Sequence, residues 1–148
     1  MWRVFSMALL LAAAPQGGWK PLHAEGLSLM APPATTLESA PNIDSRAWWI
    51  RDPRFTITIE AGGWLGDSDD AEPALCYTSE RIDLDGHGAT LRTAKPNARL
   101  DCPENYASLF IAPSHVGGKA FSLSVRVKSR EDFVAVRALI ATIHFAGW

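Results

Sequence analysis

The clearest pattern in the chain lies between residues 121 and 128, where Phe121, Leu123, Val125 and Val127 alternate with Ser122, Ser124, Arg126 and Lys128. A period of two puts the apolar side chains on one face of a pleated strand and the polar ones on the other. The run Phe55-Thr56-Ile57-Thr58-Ile59-Glu60 repeats the pattern and is broken by Gly62, Gly63 and Gly66. Two further strands are expected around residues 75–84 and 89–93. They are joined by Asp85-Gly86, a dipeptide that suits the left-handed backbone of a tight hairpin turn.

One helix is expected over residues 103–111. Asp101 or Cys102 can cap it, Pro103 suits its first turn, and Glu104 favours the positive end of its dipole. Tyr106, Leu109 and Phe110 then share a face until Pro113 removes a backbone donor. Residues 133–145 carry two conflicting signals. Ser129 followed by Asp132, with Ala138, Leu139 and Ala141 beyond, suits a helix, whereas the β-branched Val134, Val136, Ile140, Thr142 and Ile143 favour a strand. The strand is the expectation, because a turn at residues 130–132 would pair it with the strand before it.

The expected order is strand, strand, strand, helix, strand, strand. That is a mainly β domain with one short helix, arranged as a five-stranded OB-like Greek-key barrel, with a small β-sandwich as the alternative.

The N-terminus has a different character. Met1-Trp2-Arg3 carries one positive charge, and in the eleven residues 4–14 only Ser6 is polar. Such a run is too short to cross a bilayer core as a helix, which needs about 20 residues, so no stable membrane insertion is expected. It fits a signal peptide over residues 1–24, cleaved after Ala24, since Pro15 disfavours a cut after Ala14. Residues 25–45 are rich in Ala, Pro, Ser and Thr, include Pro32-Pro33, and read as a flexible arm. Residues 46–148 are left as a single domain.

Removing residues 1–24 leaves 124 of the 148 residues, takes Arg3 and Lys20 from the 14 basic residues and none of the 16 acidic ones, and moves the formal charge from −2 to −4. Nucleic acid is not expected as a partner of such a balance. Cys76 and Cys102 are the only cysteines. In an exported chain they are expected to pair. A structural zinc site would want four ligands, and no Cys-x-x-Cys redox motif is present.

Candidate chemistry is sparse. There is no Gly-x-Ser-x-Gly elbow, and His87, His115 and His144 stand apart at spacings that suit no metal. The acidic run Asp67-Ser68-Asp69-Asp70-Ala71-Glu72 lacks the spacing of an EF-hand and reads as a solvated loop. No catalytic residue, cofactor or metal is assigned. The most suggestive cluster is Trp48, Trp49 and Trp64 with Arg51, flanked by Arg46 and Arg54, because aromatic rings beside arginines bury large areas at low entropic cost. Adjacent strand residues point to opposite faces, so one of Trp48 and Trp49 is expected in the core and the other free for a ligand.

From Cys76 and Cys102, through Tyr106-Ala107-Ser108-Leu109-Phe110 and Gly117-Gly118-Lys119 into the strand at Phe121, the chain resembles small secreted OB-fold proteins, including the B subunits of bacterial AB toxins. The resemblance spans residues 55–145. Pro113 and the long segment before Trp48 depart from it, and no glycan-contacting residue matches position by position. It implies a sugar-binding module that assembles as a homo-oligomer. The functional expectation is an exported, non-enzymatic binding module, periplasmic or secreted, for a glycan or protein partner. The alternative is a small periplasmic enzyme, enzyme inhibitor or accessory protein.

Overall fold

The computed structural model describes residues 17–41, 45–62, 76–97, 99, 101–111 and 120–146. The described chain opens on a hairpin, β1 (Lys20–Ala24) and β2 (Leu27–Ala31), turned by Glu25 and Gly26, both at positive φ. There follow β3 (Thr36–Ala40), β4 (Arg46–Arg51), β5 (Phe55–Gly62), β6 (Tyr77–Leu84), β7 (His87–Ala94), β8 (Tyr106–Ile111) and β9 (Ala120–Val127). A single 3-10 turn at Arg130–Asp132 leads into α1 (Phe133–Ile140), and β10 (His144–Phe145) ends the described chain.

The strands form two antiparallel sheets. The larger has the order β3-β4-β5-β9-β8-β7-β6, and the smaller β1-β2-β10. On the large sheet, Trp48, Ile50, Ile57, Ile59, Leu91, Leu109, Leu123 and Val125 share one buried face. Leu27 and Leu29 of β2 enter the same core, as do Phe133, Val136, Leu139 and Ile140 of α1. The small sheet and the helix thus cover one side of the large sheet, the layered arrangement of a small β-sandwich. Phe145 joins the layers: its ring meets Phe121 edge-on at 4.8 Å and lies 6.3 Å from the ring of Trp48.

The mainly β character with one short helix is as expected, and so are the strands at β5, β7 and β9 and the Asp85-Gly86 hairpin. Asp85 and Gly86 have φ of 50° and 82°, and Leu84 pairs with His87. The barrel is different. Among the described residues ten strands lie in two sheets, and the large sheet ends at β3 and β6 without closing.

Two elements exchange identity. Residues 106–111 form strand β8, not a helix, because Ala107, Leu109 and Ile111 alternate with Tyr106, Ser108 and Phe110, and β7 and β9 supply hydrogen-bonding partners on both edges. Tyr106 and Phe110 therefore lie on the face opposite Leu109. Conversely, residues 133–140 form α1, not a strand. Asp132 accepts the Ser129 N–H at 3.1 Å, as the capping signal suggested, and Phe133, Val136, Leu139 and Ile140 make the buried stripe. Burying that stripe on the sheet outweighs the small helix penalty of the β-branched residues.

The segment 25–45, expected as a flexible arm, contains β2 and β3. Leu27, Leu29 and Ala31 alternate with Ser28 and Met30, and Thr35, after the Pro32-Pro33 turn, is fully buried with its hydroxyl donating to Asp52 at 2.8 Å. The expected cut after Ala24 falls at the last residue of β1, whose Ala24 carbonyl accepts the Trp48 indole N–H at 3.0 Å.

The disulfide joins Cys76 to Cys102. Cys102 precedes a strand rather than opening a helix, so the bridge ties the β7–β8 connection to the start of the outermost strand β6. The Cys76 carbonyl also accepts the Lys95 N–H at 2.8 Å. Among the described residues no helix is long and apolar enough to cross a membrane. Residues 1–14 of the expected signal, Trp64, the acidic run 67–72, His115 and Trp148 lie outside the described residues.

Candidate functional site

Strand β4 separates the two adjacent tryptophans. Trp48 points into the core and is 1 % exposed, while Trp49 lies half-buried on the outer face with Arg51 two residues on. The guanidinium of Arg51 sits 4.7 Å from the centre of the Trp49 ring and is held by Glu38 of β3 at 2.9 Å. Of the four expected ligand-binding residues, the fold brings together Trp49 and Arg51 and removes Trp48; Trp64 lies outside the described residues. Arg54 faces Asp52 instead, at 3.1 Å, in the β4–β5 turn.

Register extends this pair across the sheet. In one row Glu38, Trp49, Thr58, Ser124, Ser108 and Arg92 stand opposite one another from β3 to β7. In the next row stand Thr36, Arg51, Thr56, Arg126 and Tyr106. Arg126 lies 5.7 Å from the centre of the Tyr106 ring, a second arginine–aromatic pair on the same face. Trp49 on β4 and Tyr106 on β8 are three strand spacings apart, about 14–15 Å. Between them lie the hydroxyls of Thr56, Thr58 and Ser124, with that of Ser108 next to Tyr106 on β8.

This face has the chemistry of a binding platform. Half-exposed aromatic rings offer flat apolar area, and hydroxyls and guanidinium groups offer hydrogen bonds around it. The two rows carry three arginines and one glutamate, on a chain whose formal charge is −2. Glu38 engages Arg51 only as an exposed pair, worth about 0–1 kcal/mol, so an anionic ligand can displace it at little cost. Among the described residues no helix or second sheet lies over this face.

Sequence reasoning missed Tyr106, Arg126 and the hydroxyl band. The hydroxyl positions were visible as the polar half of the alternation in β5 and β9. Tyr106 was hidden by its assignment to a buried helical face.

The carboxylates with shifted acidity lie elsewhere and are structural. At Asp52 and Asp85 burial alone would raise the carboxyl, but hydrogen bonds outweigh it and both are held below the ordinary value. For Asp52 the donors are the Arg54 backbone, the Thr35 hydroxyl and the Arg54 guanidinium. Asp85 is bound by the Phe145 N–H and by His144, at 2.8 Å each. The His144–Asp85 pair resembles half of a catalytic dyad. Among the described residues no hydroxyl completes it, and the second Asp85 oxygen serves the backbone. No group of His, Cys, Asp and Glu among the described residues could hold a metal ion.

No protein-family model matches the chain, and no curated protein matches it in sequence.

Proposed function

We propose that this protein is an exported, disulfide-linked binding module that takes an acidic glycan across the outer face of its large sheet. The observation that carries this reading is the pair of arginine–aromatic contacts, Arg51 on Trp49 and Arg126 on Tyr106, set at opposite ends of a band of Ser and Thr hydroxyls. Aromatic rings stack on the C–H faces of sugar rings, hydroxyls exchange hydrogen bonds with sugar hydroxyls, and arginine pairs bidentately with carboxylate or sulfate. The spacing of about 14–15 Å between the two rings suits a short oligosaccharide lying across the strands rather than one sugar. Export is supported by the apolar run at residues 4–14 and by the Cys76–Cys102 bridge, which persists in an oxidising compartment.

The test is a binding series against uronate-containing, sulfated and neutral oligosaccharides at two salt concentrations. Acidic glycans are expected to bind, more weakly at high salt, with about tenfold or greater loss in Trp49→Ala and in a Tyr106→Ala/Arg126→Ala double variant. Trp48 is unsuited to this test because its removal would damage the core. Absence of glycan binding at millimolar ligand, or binding unchanged in both variants, would overturn the reading.

A further inference from the structure

We infer that β6 is the pairing edge of a two-fold homodimer, in which two copies join their large sheets through an antiparallel β6–β6 contact centred on Ile82. Among the described residues strand β6 ends the sheet, and it pairs with β7 along all eight residues and carries neither proline nor bulge on its other side. Its main-chain groups on that side follow from the hairpin. A two-residue turn makes Leu84 and His87 a hydrogen-bonded pair, and alternation makes Ile82 and Glu80 the next such residues on β6. The N–H and C=O groups of Ser79, Arg81 and Asp83 therefore point away from β7, toward the free edge.

Charge then selects the partner and the register. A two-fold axis perpendicular to the sheet must pass through one residue of β6, so that opposed residues share a face. Centred on Arg81 or on Glu80, the axis sets like charges against each other. Centred on Ile82, it places Arg81 of each copy opposite Asp83 of the other, twice, while the outward main-chain groups of those same residues exchange hydrogen bonds. Both side chains are exposed, and among the described residues neither has an ion-pair partner. The charges that discourage pairing with an arbitrary strand thus fit a second copy of this chain.

The layer above the strand agrees. Beside the β6 edge lies a cleft of about 190 Å³ between Ile82, Leu91, Ile140 and Ala141, crossed by the Arg137–Glu80 ion pair at 3.3 Å. Val134, one turn before Arg137 on α1, is 66 % exposed and is the sole large apolar side chain so exposed among the described residues. In the Ile82-centred pairing the two Ile82 side chains meet at the mouths of both clefts, and the Val134/Arg137/Ala141 stripes of the two helices face one another. Dimerisation through β6 does not require glycan binding. If both hold, the two outer faces lie on the same side of one continuous sheet, and binding to a repeating glycan becomes bivalent.

The test is solution mass as a function of concentration for the whole exported chain. The wild type is expected to dimerise, and Arg81→Asp and Asp83→Arg each to weaken association about tenfold or more, since each sets like charges together twice. Mixing the two single variants is expected to form a one-to-one heterodimer, and the double swap in one chain to restore the homodimer. Unchanged thermal unfolding of each variant reports that it folds. As an independent measure, Ile82→Cys is expected to form an intermolecular disulfide, because a non-hydrogen-bonded antiparallel pair brings Cα atoms to about 4.5 Å, whereas Ser79→Cys is not. A wild type that stays monomeric at about 100 μM, capture of other proteins' strands in place of self-pairing, or a dimer indifferent to both charge reversals would overturn the inference.

Discussion

The carboxylate of Asp85, in the hairpin turn between β6 and β7, accepts the backbone N–H of Phe145 from the opposite sheet, sixty residues along the chain, at 2.8 Å. Its other oxygen meets His144 Nδ1 at 2.8 Å. A residue chosen for its ease in a left-handed turn thus also ties the far end of the large sheet to β10, whose Phe145 ring fills the space between Trp48 and Phe121.

This contact makes stability depend on pH with a defined sign. The Asp85 carboxyl is held below its unfolded value, so the ionised form stabilises the fold above that value, about 4, and the contribution is lost as pH falls through the folded value. Asp85→Asn keeps the turn geometry and removes the charge. It is expected to cost about 1 kcal/mol at pH 7 and to flatten the acid limb of stability below about pH 4, as measured by urea denaturation across pH. An acid limb identical to wild type would assign the pH dependence to other carboxylates, such as Asp52.

Strand β1 belongs to the folded domain. A chain beginning at Glu25 lacks the Ala24 carbonyl, leaving the Trp48 indole N–H buried without its acceptor, and loses the pairing of β1 with β2. Compared with a chain beginning at Gly17, it is expected to be less stable by at least about 1–3 kcal/mol. Thermal unfolding of the two purified chains measures this directly. If the chain is cleaved on export, as proposed, its new N-terminus is correspondingly expected upstream of Lys20.

Reduction of the Cys76–Cys102 bridge releases the β7–β8 connection from the start of β6. The closed loop has 27 residues counting both cysteines, for which loop-closure entropy gives about 3–4 kcal/mol. Chemical denaturation with and without reductant should differ by that amount. The end of the domain carrying the β6 edge is expected to gain hydrogen exchange first.

On α1 two apolar residues five apart should behave differently. Leu139 is wholly buried and Val134 is 66 % exposed. Leu139→Ala is expected to cost about 2–5 kcal/mol, and Val134→Ala less than about 0.5 kcal/mol. Equal losses would mean that the helix does not present the face described.

Legibility from sequence tracked how much of each signal was local. The alternations in β5 and β9, and the Asp85-Gly86 turn, each persist for long enough, or demand backbone specific enough, to identify themselves. Residues 27–31 alternate as cleanly, but the neighbouring Pro32-Pro33 and small residues masked them as an arm. At residues 106–111 the same six side chains fit a three-to-four spacing and a spacing of two, and no local feature chooses between them. The candidate site was half visible: Trp49 and Arg51 share a strand, whereas Tyr106 and Arg126 join them only through strand order.

By itself the sequence determined that this is a β-rich chain with one pair of cysteines, a tight hairpin at Asp85-Gly86, and strands whose apolar and polar halves must part. These follow from the two-residue period of the strand, the φ that a turn demands and the chemistry of two thiols. The tertiary structure decided that residues 106–111 are a strand, because two neighbours were waiting to satisfy both edges of its backbone. It also made residues 133–140 a helix, because a bare apolar sheet face needed a cover. Which of Trp48 and Trp49 is buried, which hydroxyls share a row and which strands end the described sheet depend on contacts between residues tens of positions apart, and no local pattern encodes them.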